Sequence, residues 1–370
     1  MDEIIDSVQS NVPNFLERAW YIGMCNAKEI DRILKPKTVW DFLLKKRADI
    51  IADHPRYMRV FLHLSKMKDY SGLESYFSDR HYKEYISLLS KQNQLKCQQI
   101  AYGDIFSNDL NGYASYDEKA GTIIYLNESL KYYNIFMNLA LLEFKNEVPN
   151  YVRVNALRIA IRISMEKEAM DFLLDPRGTI PQDIIIRIND TIKMELQYIA
   201  GHEFAHYLCG HFDRNKLTIK TILSSDDGES YEKVYNISQR QEFEADLYSI
   251  KNAIINKKDL QKMLRAALIW FSGLEMIEYA QDIISPKSSF AVNTHPSAAE
   301  RYNSIMNAFD ISSSVKNEID TIRKRVKEYK DFLMEDISLN YDEYGLYGSV
   351  YLDEPNTEWR GRELIDRVDY

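Results

Sequence analysis

Among its 370 residues the chain contains the run His202-Glu203-Phe204-Ala205-His206. Histidines four apart on a helix share a face, one turn apart, so both imidazoles reach a single metal ion. Zinc suits such a pair, because neutral imidazole is a good ligand and zinc tolerates an open tetrahedral position. Glu203 follows the first histidine and so points roughly 100° round the helix, beside the ion. A carboxylate there can take a proton from a metal-activated water. Two histidines leave a zinc short of one protein ligand. Downstream stands Glu242-Phe243-Glu244-Ala245-Asp246. Glu242 and Asp246 are again four apart, so Glu242 can ligate while Asp246 fixes a ligand histidine from behind. Glu244 lies roughly 200° from Glu242 round the same helix, and the residue four after it is Tyr248. Glu242 is therefore the expected third ligand of one zinc ion.

Other residues invite chemistry less specifically. In Asn293-Thr294-His295-Pro296 the histidine stands at a loop–helix junction, where it can donate to a developing oxyanion. The same residues also read as an ordinary helix start with proline in its first turn. Arg301 reads as a surface residue, the alternative being an anchor to an acidic neighbour. His211 comes five residues after His206, too soon for the known third-histidine spacing, and is read as a non-ligand. Cys209 is read as a small buried hydrophobe. His54, His63 and His81 have no metal-like spacing among them.

These groups need a rigid frame. A helix capped by Asn189 or Asp190 would carry the motif. Ile192, Leu196, Ile199 and Ala200 give that helix one apolar face, Phe204 and Leu208 a second, which predicts a buried central helix stopped by Gly210. Turn signals at Asn111-Gly112 and Lys119-Ala120-Gly121 bracket strand-like Tyr113–Tyr116 and Thr122–Leu126, predicting a β-hairpin. Residues 1–100 show helical periodicity dense in aromatics, read as a core face. Residues 151–165 partly alternate, leaving helix and strand both open. A polar excursion covers 213–238. Helical patterns follow over 239–255, 259–281, 297–309 and 315–335, with a polar, aromatic tail over 339–370. The expected fold is α+β and predominantly helical, with a small antiparallel hairpin. The expected organisation is a helical N-terminal region (1–100), a central domain (101–310) and a C-terminal helix and tail (311–370).

Composition limits the partners. Apolar residues at 45% and charged residues at 28% are globular values and exclude wholesale disorder. A net charge of −9 argues against binding nucleic acid through its phosphates. Three scattered cysteines cannot make a disulfide framework or a cysteine zinc cluster. No signal-peptide pattern opens the sequence and no apolar run is long enough to span a membrane, so a cytoplasmic protein is expected.

His-Glu-x-x-His followed by Glu-x-x-x-Asp resembles the gluzincin zinc metallopeptidases. The finer pattern, Ser238-Gln-Arg-Gln-Glu242-Phe-Glu-Ala-Asp246 with Thr294-His295-Pro296, is similar to their HtpX-like and CAAX-prenyl-protease-like branch. The hairpin from Asn111 to Asn127 resembles the strand pair before the zinc helix of that branch, whose edge strand aligns peptide substrate. Asn293-Thr-His-Pro-Ser-Ala-Ala-Glu-Arg301 resembles a segment of the Lit-type phage-exclusion peptidases, which cleave a host translation factor. The resemblance covers roughly 190–310, or from about 110 for the broader branch. It implies a zincin-like core, hydrolysis of a protein or peptide substrate, and a regulated or phage-defence role. The regions outside it leave room for a regulatory partner at the N-terminal region. The alternative is a catalytically latent binding or signalling protein on the same scaffold.

Overall fold

The computed structural model describes residues 17–145, 147–174, 178, 180–211, 239–286 and 296–345. Among these residues the chain is predominantly helical, with one small sheet. In the N-terminal region the helices are Ala27–Leu34 (α1), Val39–Ala52 (α2), Pro55–Leu64 (α3), Arg80–Leu88 (α4) and Lys91–Cys97 (α5). Capping boxes at Asn26/Glu29 and Thr38/Asp41 start α1 and α2 by satisfying exposed amides of the first turn.

The hairpin forms where the turn signals place it, as Gly112–Asp117 (β2) and Gly121–Leu126 (β3), in register from Gly112↔Leu126 to Asp117↔Gly121. Asp117 Oδ1 accepts from the amides of Lys119 (2.7 Å) and Ala120 (2.8 Å) and so closes the turn. A two-residue strand, Ala101–Tyr102 (β1), pairs parallel to β3. The sheet is therefore three-stranded and mixed, in the order β1-β3-β2, rather than a purely antiparallel hairpin. β2 is an edge strand.

Glu128–Leu141 (α6) and Asn150–Ser164 (α7) follow. α7 settles 151–165 as helix. Its alternation arises because Arg153 and Arg162 are buried: Arg153 donates to the Ala140 carbonyl (2.8 Å) and Arg162 to Glu168 (2.9 Å). Gln182–Leu208 (α8) begins well before the expected cap, because Ile184 and Ile188 extend the same buried stripe back to Pro181. The remaining helices are Gln239–Lys251 (α9), Lys257–Ile284 (α10), Ala298–Ala308 (α11), Ser313–Leu339 (α12) and Tyr341–Gly345 (α13).

α8 is the central helix. It packs against α4, α6, α9, α10 and both long strands. One buried apolar cluster joins residues of all three expected stretches, from Tyr21 through Phe204 and Phe271 to Tyr344. α4 ties the N-terminal region to the centre. The Tyr85 ring stacks on Phe204 at 5.8 Å, and its hydroxyl donates to the Ser249 carbonyl on α9 (2.9 Å). The Tyr82 hydroxyl accepts from the Leu126 amide at the end of β3 (2.8 Å) and donates to Asp104 (2.9 Å). No helix among the described residues is long and apolar enough to cross a membrane.

Candidate metal centre

α8 and α9 pack side by side and bring His202, His206 and Glu242 together, all three buried. Their candidate ligand atoms lie within 4.8 Å of one another. His202 Nε2 and His206 Nε2 are 2.9 Å apart, and Glu242 oxygens lie 3.5 Å and 3.7 Å from them. Two ligand atoms each about 2.1 Å from a tetrahedral centre stand about 3.4 Å apart. The three donors match that spacing, and two nitrogens with one carboxylate suit a divalent transition metal. The residues present therefore fit one metal ion.

The outward nitrogens of the two histidines are held differently. His202 Nδ1 donates to Asp246 Oδ1 at 2.9 Å. Asp246 has no solvent-exposed surface and accepts further from Tyr198 Oη (3.0 Å) and, bidentately, from Arg301 Nη2 (2.6 Å) and Nε (2.7 Å). Arg301 corrects the surface reading. It anchors the start of α11 to the ligand helix, stands 3.6 Å from Glu242 and lies over the Phe271 ring at 4.9 Å. Burial would raise the Asp246 carboxyl; the Arg301 charge and the bonds from Arg301 and His202 hold it below the usual range instead.

His206 Nδ1 faces His211 Nδ1 at 2.8 Å, and His211 Nε2 faces Glu244 Oε2 at 3.3 Å. One set of protons satisfies both contacts and leaves His206 Nε2 bare: His206 Nδ1–H donates to His211, and His211 Nε2–H donates to Glu244. The backbone explains the fold-back. α8 ends in a Schellman motif, the Gly210 amide donating to the Tyr207 carbonyl (3.2 Å) and the His211 amide to the His206 carbonyl (3.0 Å). Gly210 stands at φ +74°, as the left-handed cap requires. His211 thus supports a ligand histidine and is outside the ligand group of His202, His206 and Glu242. Cys209 is half-buried rather than buried, near Glu244 and His211.

Charges inside the centre are coupled. Burial would lower the His202 pKa, yet the adjacent Asp246 and Glu242 carboxylates raise it to about 10. Burial and the neighbouring His202 charge push His206 well down.

Glu203 is buried on the side of α8 that meets β2. A Cβ on Gly112 would stand 3.1 Å from Glu203 Oε1 and 2.7 Å from a Leu126 methyl, so a side chain there would have to displace Leu126 and press on Glu203. His295, the expected oxyanion donor, lies outside the described residues, as do the 213–238 excursion and most of the 339–370 tail.

Sequence reasoning missed Tyr198 and His211 as supports, and it held the anchoring role of Arg301 only as the alternative to a surface reading. Only His211 left a local signal, standing one residue past a helix-stopping glycine. No family model, curated protein or solved structure matches this chain.

Proposed function

We propose that the chain is a zinc-dependent metalloendopeptidase of the gluzincin type, hydrolysing peptide bonds in a protein substrate. The observation that carries this reading is the convergence of His202, His206 and Glu242 with Glu203 on the next face of the same helix and a sheet edge alongside. His202, His206 and Glu242 would hold the zinc ion, which would supply Lewis acidity to a water and to the scissile carbonyl. Asp246 and His211 keep both ligand imidazoles in the tautomer that offers Nε2 inward. Glu203 accepts the proton of the attacking water and delivers it to the leaving amine. The outer edge of β2, on which no described strand lies, can take an extended peptide as a further strand, its backbone amides and carbonyls setting the register next to Glu203.

Glu203→Gln tests the reading. It preserves shape and every zinc ligand but removes the base. Proteomic mapping of new chain termini on incubation with cell extract should find cleavage by the wild-type chain, reduced about a hundred- to ten-thousand-fold by the variant. Equal cleavage by both would refute the proposal.

A further inference from the structure

A second set of metal-ligating side chains stands outside the centre. The Cys209 thiol, the His211 imidazole and the Glu244 carboxylate offer ligand atoms within 4.8 Å of one another. The separation of His211 Nε2 and Glu244 Oε2, 3.3 Å, matches two ligands on one tetrahedral ion. The Schellman turn at Gly210 brings Cys209 and His211 to the same end of α8, and Glu244 faces them from α9. Glu244 is 42% exposed, so an ion can enter from solvent. A sulfur, a nitrogen and an oxygen with an open fourth position favour a borderline or soft divalent ion, zinc or cadmium, over magnesium or calcium.

We propose that Cys209, His211 and Glu244 form a second, exchangeable metal site whose occupancy opposes that of the first through the His206–His211 ring pair. An ion here needs His211 Nε2 bare. The Cys209 thiol proton leaves to solvent, and the one His211 proton moves from Nε2 to Nδ1 by exchange with water. A neutral His211 then carries its proton on Nδ1 and donates to His206 Nδ1. His206 must in turn carry its own proton on Nε2, the atom that faces His202 and Glu242. Protonated there, His206 cannot ligate. Conversely, an ion on His206 Nε2 puts a proton on His211 Nε2 and closes the second site. While the rings stay 2.8 Å apart, filling one site weakens the other, and the effect is reciprocal. The antagonism rests on the metal-centre reading above; the second site by itself does not.

Cadmium is the probe, because a cadmium–thiolate bond absorbs in the near ultraviolet and the first site contains no sulfur. Cadmium titrated into the zinc-loaded wild-type chain, into His206→Ala and into Cys209→Ser should give a thiolate band in the first two and none in the third. Half-saturation should come at a cadmium concentration about tenfold or more lower in His206→Ala than in the wild type. Cys25 and Cys97 remain in Cys209→Ser and serve as the internal control. A band that survives in Cys209→Ser, or none in any chain, overturns the site. Equal half-saturation in wild type and His206→Ala overturns the antagonism. Failure here with intact peptidase activity leaves the proposed function standing; a Cys209-dependent band in a chain without peptidase activity does the reverse.

Discussion

The two flanks of the metal centre carry out one task in opposite ways. On one, Asp246 is fully enclosed and holds His202 with the help of Tyr198 and a bidentate Arg301. On the other, His206 leans on His211, just past the end of α8, which leans on the exposed Glu244 of α9. The closed flank fixes geometry, since every partner of a buried charge must remain in place. The open flank gives up rigidity for access, because its last member is a carboxylate that solvent reaches. A histidine ligand can thus be oriented by a static ion pair or by a short relay that ends in solvent, and only the second can respond to what reaches the surface.

Breaking the closed flank should have the largest effect on stability. Asp246→Asn leaves Arg301 buried without its carboxylate, and chemical denaturation should show a loss of about 3–5 kcal/mol. Zinc affinity, read by competition with a chromophoric chelator, should fall about 10- to 100-fold. A variant as stable as the wild type would mean that Asp246 and Arg301 are not a buried pair.

Glu195 sharpens the comparison, being a carboxylate on the same helix, wholly buried and bonded to Asn138 Nδ2 (2.6 Å). Burial raises its pKa to about 8 from an ordinary 4.5. The folded chain therefore keeps a proton that the unfolded chain releases above pH 4.5, and stability contributed by this group falls as pH rises from about 4.5 to about 8. Glu195→Gln should stabilise the protein by roughly 1–3 kcal/mol above pH 8 and by little below pH 5. Thermal melts across that range check it.

The open flank should break more gently. His211→Ala should weaken zinc binding about tenfold with a small change in stability. Gly210→Ala meets no steric obstacle among the described residues, none of which lies within 4 Å of its added Cβ, so the strained φ sets the cost, about 1 kcal/mol. The last effect is a slope in pH. His202 keeps its proton up to about pH 10 in the ion-free chain, so an incoming ion must displace it. Apparent zinc affinity should drop with each unit of acidification below that value, by up to about tenfold per unit.

The closed flank was half legible and the open one hardly at all. His202, His206, Glu242 and Asp246 announce themselves because spacings of four are local and the helix turns them onto one face. Arg301 meets Asp246 across 55 residues, so its own neighbours in the chain left the anchor and surface readings both open and could not name its partner. His211 is brought back by a turn whose hydrogen bonds cannot be read from residue types alone. Elsewhere the hairpin followed from its turn residues. β1 was too short to carry a period, and the buried arginines of α7 disguised a helix as an alternating segment.

The most direct test of the central claim is zinc content per chain, by mass spectrometry of the metal after exhaustive dialysis, in the wild type, Glu203→Gln and Glu242→Ala. His202, His206 and Glu242 as the ligand set predict one ion in the first two and nearly none in the third. A Glu242→Ala chain that keeps its zinc, or a wild type that binds none, would contradict the account.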